Sequence, residues 1–167
     1  MRTISVKTLS REAFAPYGEY HNLLSPDPSR VRLGNEITGF WPDLCAQALS
    51  GALVSYSASE IHPRPLVITK TEYHNHCGEA MLPINADMIL HVGPAVAADV
   101  PPLDRFEAFL LPAGTIVTIR PGVWHHSLFV CGEKSGVALI ALPPRTYKND
   151  CVAVTLSEDE QIRIALP

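Results

Sequence analysis

The feature that most constrains this chain is a succession of short apolar runs, each of which ends at a proline or glycine. Examples are ADMILHVG, RFEAFLLPAG, TIVTIRPG and GVALIALPP. Runs of this length suit strands better than the helices of a bundle, and the residues that follow them are turn formers. Many short strands with regular turns and little helix predict an all-β fold, either an antiparallel sandwich or a barrel.

The size of the chain predicts one domain. It has 167 residues, of which 47% are apolar, enough to enclose a core of its own. We therefore expect a single domain over residues 1–167 with short helices near its two ends. Ser10 is a suitable N-cap in LSREAFAPYG, and Ser157 with Glu160 matches a capping box in SEDEQ.

Charge and cysteine content narrow the range of partners. A net charge of -4 gives no electrostatic reason to expect nucleic acid or an anionic membrane. The N-terminus lacks the apolar core of a signal peptide, and no apolar window approaches the roughly 20 residues of a membrane span. The four cysteines form no CxxC pair, which favours reduced thiols. We expect a soluble, cytoplasmic protein.

The stretch YHNHCGEAML carries the strongest chemical signal. His74 and His76 are two residues apart in a predicted strand, so their side chains should point to the same face, with Lys70 and Glu72 behind them. Two imidazoles on one face can share a metal ion. The same pattern also fits a solvated polar strand face, so both interpretations remain open at this point.

A second histidine motif favours the metal. Gly114, Gly122 and His125 have the spacing G-x7-G-x-x-H, in which a tight Pro-Gly turn would bring His125 beside the first pair. Glu79 could complete a shell of three histidines and one carboxylate, although its short distance along the chain from the HxH pair leaves its direction open. Such a shell suits Zn, Mn, Fe or Ni and leaves positions free for a substrate. The predicted metal ligands are His74, His76, Glu79 and His125.

Neighbouring residues have both a functional and a structural interpretation. His126 should face away from His125 on a strand, either on the outer face or supporting the site from behind. Trp124 fits core packing or a pocket wall. Arg120 is either an exposed cation or a clamp for a substrate carboxylate, and Cys77 is either a thiolate ligand or a small buried apolar residue.

These motifs resemble those of a known family. The HxH, carboxylate and G-x7-G-x-x-H pattern resembles the two motifs of the cupin superfamily, which are jelly-roll (double-stranded β-helix) barrels that hold a metal in the barrel mouth. Over nearly the whole chain, the segments LSREAFAPYGE, PLVITKTEYHNHCGEAMLPI and GVWHHSLF are similar to ureidoglycolate lyases. The resemblance implies a cupin-type barrel, a homodimer, and release of urea from ureidoglycolate to leave glyoxylate, late in purine (allantoin) breakdown.

The resemblance also suggests roles for individual residues. Glu72 and His126 are candidate catalytic groups for the proton transfers, while Lys70, Arg120 and Trp124 are candidates for substrate binding. The segment Thr118 to Pro121 differs from the polar run that the family usually carries. Two alternatives are therefore kept: a metal-dependent cupin enzyme acting on another small hydroxy acid, and a cupin that binds a small molecule without catalysis.

Overall fold

The computed structural model describes all 167 residues. The chain forms fifteen strands and two one-turn α-helices, with a 3-10 turn at Leu103–Arg105. The helices are α1 (Arg11–Phe14) and α2 (Thr146–Asn149). The strands are β1 (Arg2–Thr8), β2 (Gly18–Asn22), β3 (Leu33–Gly34), β4 (Gly39–Phe40), β5 (Ser55–Ile61), β6 (Val67–Ile68), β7 (Lys70–Tyr73), β8 (Glu79–Pro83), β9 (Met88–Val92), β10 (Glu107–Leu111), β11 (Thr115–Ile119), β12 (Phe129–Val130), β13 (Gly136–Leu142), β14 (Val152–Thr155) and β15 (Ile162–Ala165).

Two large sheets dominate the architecture. One has five strands in the order β2-β11-β8-β13-β5, and the other has six in the order β12-β9-β10-β1-β15-β6. Small two-stranded sheets, β7 with β14 and β3 with β4, complete the fold. All pairings are antiparallel except those of β1, which lies parallel to both β10 and β15. The predicted all-β, cupin-type jelly-roll barrel is therefore confirmed.

The main core lies between the two large sheets. Met81, Val117 and Ala138 face inward from the five-stranded sheet, and Leu90 and Phe109 meet them from the six-stranded sheet. Each of these side chains is at most 1% exposed. Removing such surfaces from water is the main driving force for closing the barrel.

A second core covers the outer face of the six-stranded sheet. Ile89, Ala108 and Ile162 point to this side, and the rings of Tyr73 and Trp124 pack against them. The two aromatic rings meet edge to face with their centroids 4.6 Å apart. Trp124, one of the predicted substrate-binding residues, is therefore a core residue, because the second core buries all but 1% of its surface. Its packing fixes the chain on either side of it.

The helix expected at the N-terminal end is confirmed, and the one expected at Ser157 is wrong. Ser10 caps α1 by accepting a hydrogen bond from the Ala13 N–H at 3.1 Å. Ser157 and Glu160 make capping-box hydrogen bonds, but they close a turn that leads into β15. The next residues alternate buried and exposed side chains and pair between β1 and β6, so sheet pairing prevails over the local helix signal. Neither α-helix has the length and apolar surface needed to cross a bilayer.

One polar side chain in the second core lacks a partner. His91 on β9 is 1% exposed, and neither ring nitrogen makes a hydrogen bond. Its ring stacks on Phe106 with the centroids 5.8 Å apart, so apolar contacts surround it. Burying an unpaired polar group costs free energy, and His91 therefore lowers the stability of the fold.

We predict that His91→Leu raises the free energy of unfolding by about 1–3 kcal/mol, because it removes an unsatisfied buried polar group. Burial lowers the pKa of His91 well below its ordinary value of 6.5, so the unfolded chain takes up the proton at higher pH than the folded one. Protonation of His91 thus has no effect on stability above that ordinary value, and it reduces the free energy of unfolding as the pH falls below it. Urea unfolding at neutral and at mildly acidic pH should show that the free energy of unfolding falls less on acidification in the variant than in the wild type.

His62→Gln is the matched control, because the side chain of His62 is 71% exposed. Its unfolding free energy should stay within about 0.5 kcal/mol of the wild-type value. A variant His91→Leu that is less stable than wild type at both pH values would contradict the prediction and would indicate that the His91 ring has a hydrogen-bond partner in solution.

Candidate active site

A carboxylate between two imidazoles forms the centre of the site. Oε2 of Glu79 lies 3.1 Å from Nε2 of His74 and 3.1 Å from Nε2 of His125. All three side chains are buried, none more than 7% exposed. The structure therefore brings together three of the four predicted metal ligands, and Glu79 faces the two histidines.

Three separate segments supply these side chains. Glu79 is the first residue of β8, and His74 directly follows β7. His125 lies opposite Glu72 in an isolated bridge, where the Glu72 N–H donates to the His125 carbonyl at 2.6 Å and the His125 N–H donates back at 2.8 Å. Gly122 closes the preceding turn with φ +80, a conformation that glycine favours, and its N–H donates to the His74 carbonyl at 2.7 Å. Backbone hydrogen bonds thus fix the distance between the two histidines.

The hydrogen bonds at the far side of each ring determine which nitrogen is free. Nδ1 of His74 lies 2.6 Å from the Asp150 carbonyl oxygen, and Nδ1 of His125 lies 2.8 Å from that of Val123. A carbonyl oxygen only accepts, so each Nδ1 carries a proton and donates it. Each neutral ring then turns a bare Nε2 toward the Glu79 carboxylate. Three lone-pair donors that converge in this way need a cation between them, either a proton or a metal ion.

Electrostatics favour the charged form of the carboxylate. When protons are the cations, Nε2 of His125 and of His74 donates to Glu79; burial alone would raise the pKa of Glu79, but these hydrogen bonds outweigh it and lower the pKa to about 2. Burial alone would lower the pKa of His74, but the hydrogen bond and charge of Glu79 raise it above its ordinary value. The site therefore holds a negative charge that attracts a cation.

The residues present fit a divalent transition metal. A second carboxylate lies close to the same two histidines: the ligand atoms of Glu72, His74 and His125 all lie within 4.8 Å of one another. Two imidazole nitrogens with a choice of two carboxylates form a mixed N and O donor set that suits Zn, Mn, Fe or Ni. The carbonyl oxygens that hold each Nδ1–H are the supporting contacts that histidine ligands commonly have.

His76 does not join this cluster, so the expectation that it shares a face with His74 is wrong. The strand β7 ends at Tyr73, and strand alternation no longer applies beyond it. The Asp150 carboxylate accepts hydrogen bonds from the Asn75 and His76 N–H groups at 2.8 and 2.9 Å, which turns the chain out of the sheet. The His76 side chain is 75% exposed and lies 3.1 Å from the same carboxylate.

Two cavities adjoin the cluster. One, of about 160 Å³, is lined by Ser59, His126 and Ser127, and the other, of about 400 Å³, is lined by Lys70, Tyr147 and Cys151. Glu72 and Glu79 line both. A small molecule in either cavity would therefore contact the carboxylates of the site.

His126 and Glu72, the candidate catalytic residues, lie close together where the two cavities meet the cluster. Nε2 of His126 is 4.0 Å from Oε2 of Glu72, and about a fifth of each side chain remains exposed, 23% and 22% respectively. Although alternation along a strand would turn His126 away from the site, this segment is not a regular strand, and the ring lines the smaller cavity. Burial lowers the pKa of His126 and so favours the neutral ring. The charge of Glu72 acts in the opposite direction but does not outweigh burial.

Arg120, a candidate for binding the substrate carboxylate, does not line these two cavities. Its backbone N–H donates to the Tyr17 carbonyl, and its guanidinium donates to the Ala15 carbonyl. These contacts turn the side chain toward α1 and β2, where it lines other cavities. Lys70 is the remaining predicted substrate-binding cation that lines a cavity of the site.

Comparison with known proteins places the chain in a family. The family model for ureidoglycolate lyase matches residues 1–164. This chain belongs to the ureidoglycolate lyase family. The family that the sequence motifs suggested is therefore confirmed over almost the whole length of the chain.

The relatives within the family are distant but cover nearly the full chain. The ureidoglycolate lyase of Pseudomonas aeruginosa (strain LESB58) is 28% identical over 166 residues, which is 97% of this chain and 95% of the relative. The ureidoglycolate lyase of Pseudomonas fluorescens (strain Pf0-1) is 25% identical over 168 residues, 99% of this chain and 98% of the relative. The solved structure of a dTDP sugar isomerase from Desulfovibrio desulfuricans G20 matches with a TM-score of 0.50 and 12% identity over 86% of this chain and 87% of that one, which supports the fold alone.

Two residues of this ureidoglycolate lyase family member contribute to the site without any sequence signal that pointed to them. The Asp150 carbonyl fixes the His74 ring, while the Asp150 carboxylate holds the following turn. The Cys151 thiol donates to Oε2 of Glu72 at 3.2 Å, and burial together with this carboxylate raises the pKa of Cys151 to about 12. Both residues follow α2, more than 70 positions along the chain from their partners.

We predict that His125→Ala and Glu79→Gln each abolish stoichiometric binding of a divalent transition metal, because each removes a donor from the convergent set. Metal analysis after incubation with Zn, Mn, Fe or Ni and removal of free ion would measure this. His76→Ala is the matched control and should bind as much metal as the wild type, since the His76 ring points to solvent. Equal loss of metal in His76→Ala would contradict this assignment of the ligands.

Proposed function

We propose that this protein is a ureidoglycolate lyase that releases urea from ureidoglycolate and leaves glyoxylate. The observation that carries the proposal is the match of the family model to residues 1–164, which include the whole candidate site. The alignments cover nearly all of this chain and nearly all of each named relative. This coverage supports assigning the activity of the whole relative to this chain, since the similarity is not limited to a shared segment.

We place the metal ligands at His74, Glu79 and His125, with Glu72 at the edge of the set. The convergence of two bare Nε2 atoms on a buried carboxylate supports this assignment. A divalent ion bound there would supply Lewis acidity that lowers the pKa of a substrate hydroxyl. Burial of all three side chains keeps competing water away from the donors.

The reaction requires one proton to move from the substrate hydroxyl to the departing nitrogen. As the hydroxyl loses its proton, its oxygen forms the carbonyl of glyoxylate, and the carbon–nitrogen bond breaks with its electron pair on the ureido nitrogen. We assign this transfer to His126, which lines the smaller cavity and can take the proton from the hydroxyl and give it to the nitrogen. The substrate would span the boundary at Glu72 and Glu79, which line both this cavity and the larger one. Glu72, 4.0 Å away, would stabilise the imidazolium formed between these steps.

We propose that Lys70 binds the substrate carboxylate. Lys70 lines the larger cavity together with Glu72 and Glu79, and the lining of that cavity contains no other cationic side chain apart from His74 when it is protonated. A lysine acts as a point charge and tolerates a range of carboxylate orientations. Arg120, the other candidate cation for this role, lines a different cavity.

We predict that His125→Ala loses most of the urea-releasing activity and that His126→Asn lowers kcat by about 10²–10⁴-fold, the usual contribution of a positioned acid or base. Lys70→Gln should chiefly raise KM, because it removes a charge that binds the substrate in the ground state. His76→Ala should retain the wild-type rate. The measurement is urea release from ureidoglycolate in metal-loaded protein, with circular dichroism to confirm folding.

Absence of urea release by the wild type with each of Zn, Mn, Fe and Ni would defeat the substrate assignment. Titration with other small hydroxy acids would then separate an enzyme of different substrate from a cupin that only binds. Full activity of His125→Ala would be compatible with the substrate assignment but would contradict a catalytic role for the metal.

We also propose a homodimer built through the edge of the five-stranded sheet. Strand β5 lies at that edge with only β13 as neighbour, and it contains neither proline nor lysine, two residues that commonly protect free edges. Beside it, Tyr56, Ile84 and Leu139 line an apolar surface cavity of about 230 Å³, and Tyr56 is 69% exposed. An antiparallel strand edge can pair with a second copy of itself about a two-fold axis.

Light scattering should therefore give the mass of two chains, and Tyr56→Glu should shift the protein toward the mass of one by placing charges in the interface. Val100→Glu, a change at another exposed apolar residue, is the control and should leave the mass unchanged. A wild type that is monomeric at micromolar concentration would reject the dimer.

We further propose that the protein acts in the cytoplasm. Its four cysteines, Cys45, Cys77, Cys131 and Cys151, are all free thiols. Free thiols are typical of a reducing compartment, and the Cys151 thiol contacts Glu72 in the site. Fractionation of the native host followed by immunodetection would test the location.

A further inference from the structure

A cationic cavity lies apart from the candidate active site. It has a volume of about 230 Å³ and forms where α1 and β2 meet the turn after β11. Arg11 comes from α1, Arg30 from the loop after β2, and Arg120 from the turn. None of the residues that line this cavity also lines the two cavities beside Glu79.

Two of the three guanidinium groups lack a carboxylate partner. Arg11 forms an ion pair with Asp27. Arg30 donates only to Nε2 of His21 at 3.0 Å and to the Leu44 carbonyl at 3.4 Å, and Arg120 donates only to a backbone carbonyl. Neutral acceptors of this kind leave both guanidinium groups without an ion pair, and they leave most of the N–H donors free.

The single acidic side chain in the lining does not neutralise them. Glu19 borders the cavity but forms no ion pair with any arginine. Because Asp27 already pairs with Arg11, Arg30 and Arg120 stand against Glu19 alone, which leaves a local excess of one positive charge, although the whole chain has a net charge of -4. A cationic concavity on an acidic protein attracts small anions selectively to that place.

A buried histidine orients one of these arginines. His21 is only 7% exposed, and its Nε2 accepts the hydrogen bond from Arg30, which holds that side chain toward the cavity. Burial and the charges of Arg30 and Arg11 lower the pKa of His21, so the ring stays neutral and keeps accepting. Phe14 and Gly18 also line the cavity.

We infer that this cavity is a binding site for a small oxyanion, a carboxylate or a phosphate, distinct from the site at Glu79. The planar fork of arginine matches two oxygens of either group, and two guanidinium groups without carboxylate partners line one surface cavity. The carboxylate-binding chemistry that the sequence suggested for Arg120 is thereby assigned to a second location. The inference does not rest on the reaction proposed for the first site.

Isothermal titration calorimetry with inorganic phosphate, and separately with glyoxylate, tests the site. The wild type should bind at least one of them, and Arg30→Gln and Arg120→Gln should each weaken that binding by about tenfold or more, because each removes a charge-assisted pair of hydrogen bonds. Arg163→Gln is the matched control: it makes the same charge change at an exposed position of β15 and should bind like the wild type.

His125→Ala separates the two sites. Binding that persists in His125→Ala and weakens in Arg30→Gln supports the inference, and the probe that binds identifies whether the site prefers a carboxylate or a phosphate. Binding lost in His125→Ala and unchanged in Arg30→Gln would place the anion at the metal cluster and overturn it. Absence of binding by both probes at millimolar concentration would overturn it as well.

Discussion

The site depends on one buried carboxylate held between two imidazoles. Removing a carboxylate from water costs several kcal/mol, and the interior tolerates it only when the charge is paired and hydrogen-bonded. At Glu79 two nitrogens at 3.1 Å provide that pairing. Because backbone carbonyls occupy the other nitrogen of each ring, the arrangement is complete only with a cation at its centre. The same contacts that make Glu79 tolerable in the folded chain thus create affinity for a metal.

The barrel holds this arrangement from several sides at once. The second core fixes Trp124, and the bridge between Glu72 and His125 joins the next residue to β7. The adjacent residues Asp150 and Cys151 then hold His74 and Glu72 respectively. Since β14 pairs with β7 immediately beyond them, this pairing positions both supports. Positions of the site residues therefore depend on contacts between segments that are distant along the chain.

This dependence explains which features the sequence could predict. The G-x7-G-x-x-H spacing placed His125 correctly because a tight turn at Gly122 encodes it locally. The side-chain directions of His76 and Arg120 could not be predicted in the same way. Asp150 turns His76 outward, and the Ala15 carbonyl holds the Arg120 guanidinium, so each direction is set by a residue more than 70 positions away. Turn signals likewise predicted the strands, while pairing in the sheet replaced the helix expected at Ser157.

Glu72 then has a position that no local pattern would suggest. Its backbone is paired to His125, its carboxylate accepts from the Cys151 thiol, and the ring of His126 lies 4.0 Å away. The side chain lines both cavities, so it borders the metal ligands on one side and the proposed proton-transfer group on the other. The thiol stays protonated because its pKa is raised to about 12, and it can therefore only donate to Glu72. Glu72 therefore has a neutral donor held at Oε2 while it borders both the metal ligands and His126, a position from which it can take part in both proposed roles, metal binding and stabilisation of the His126 imidazolium.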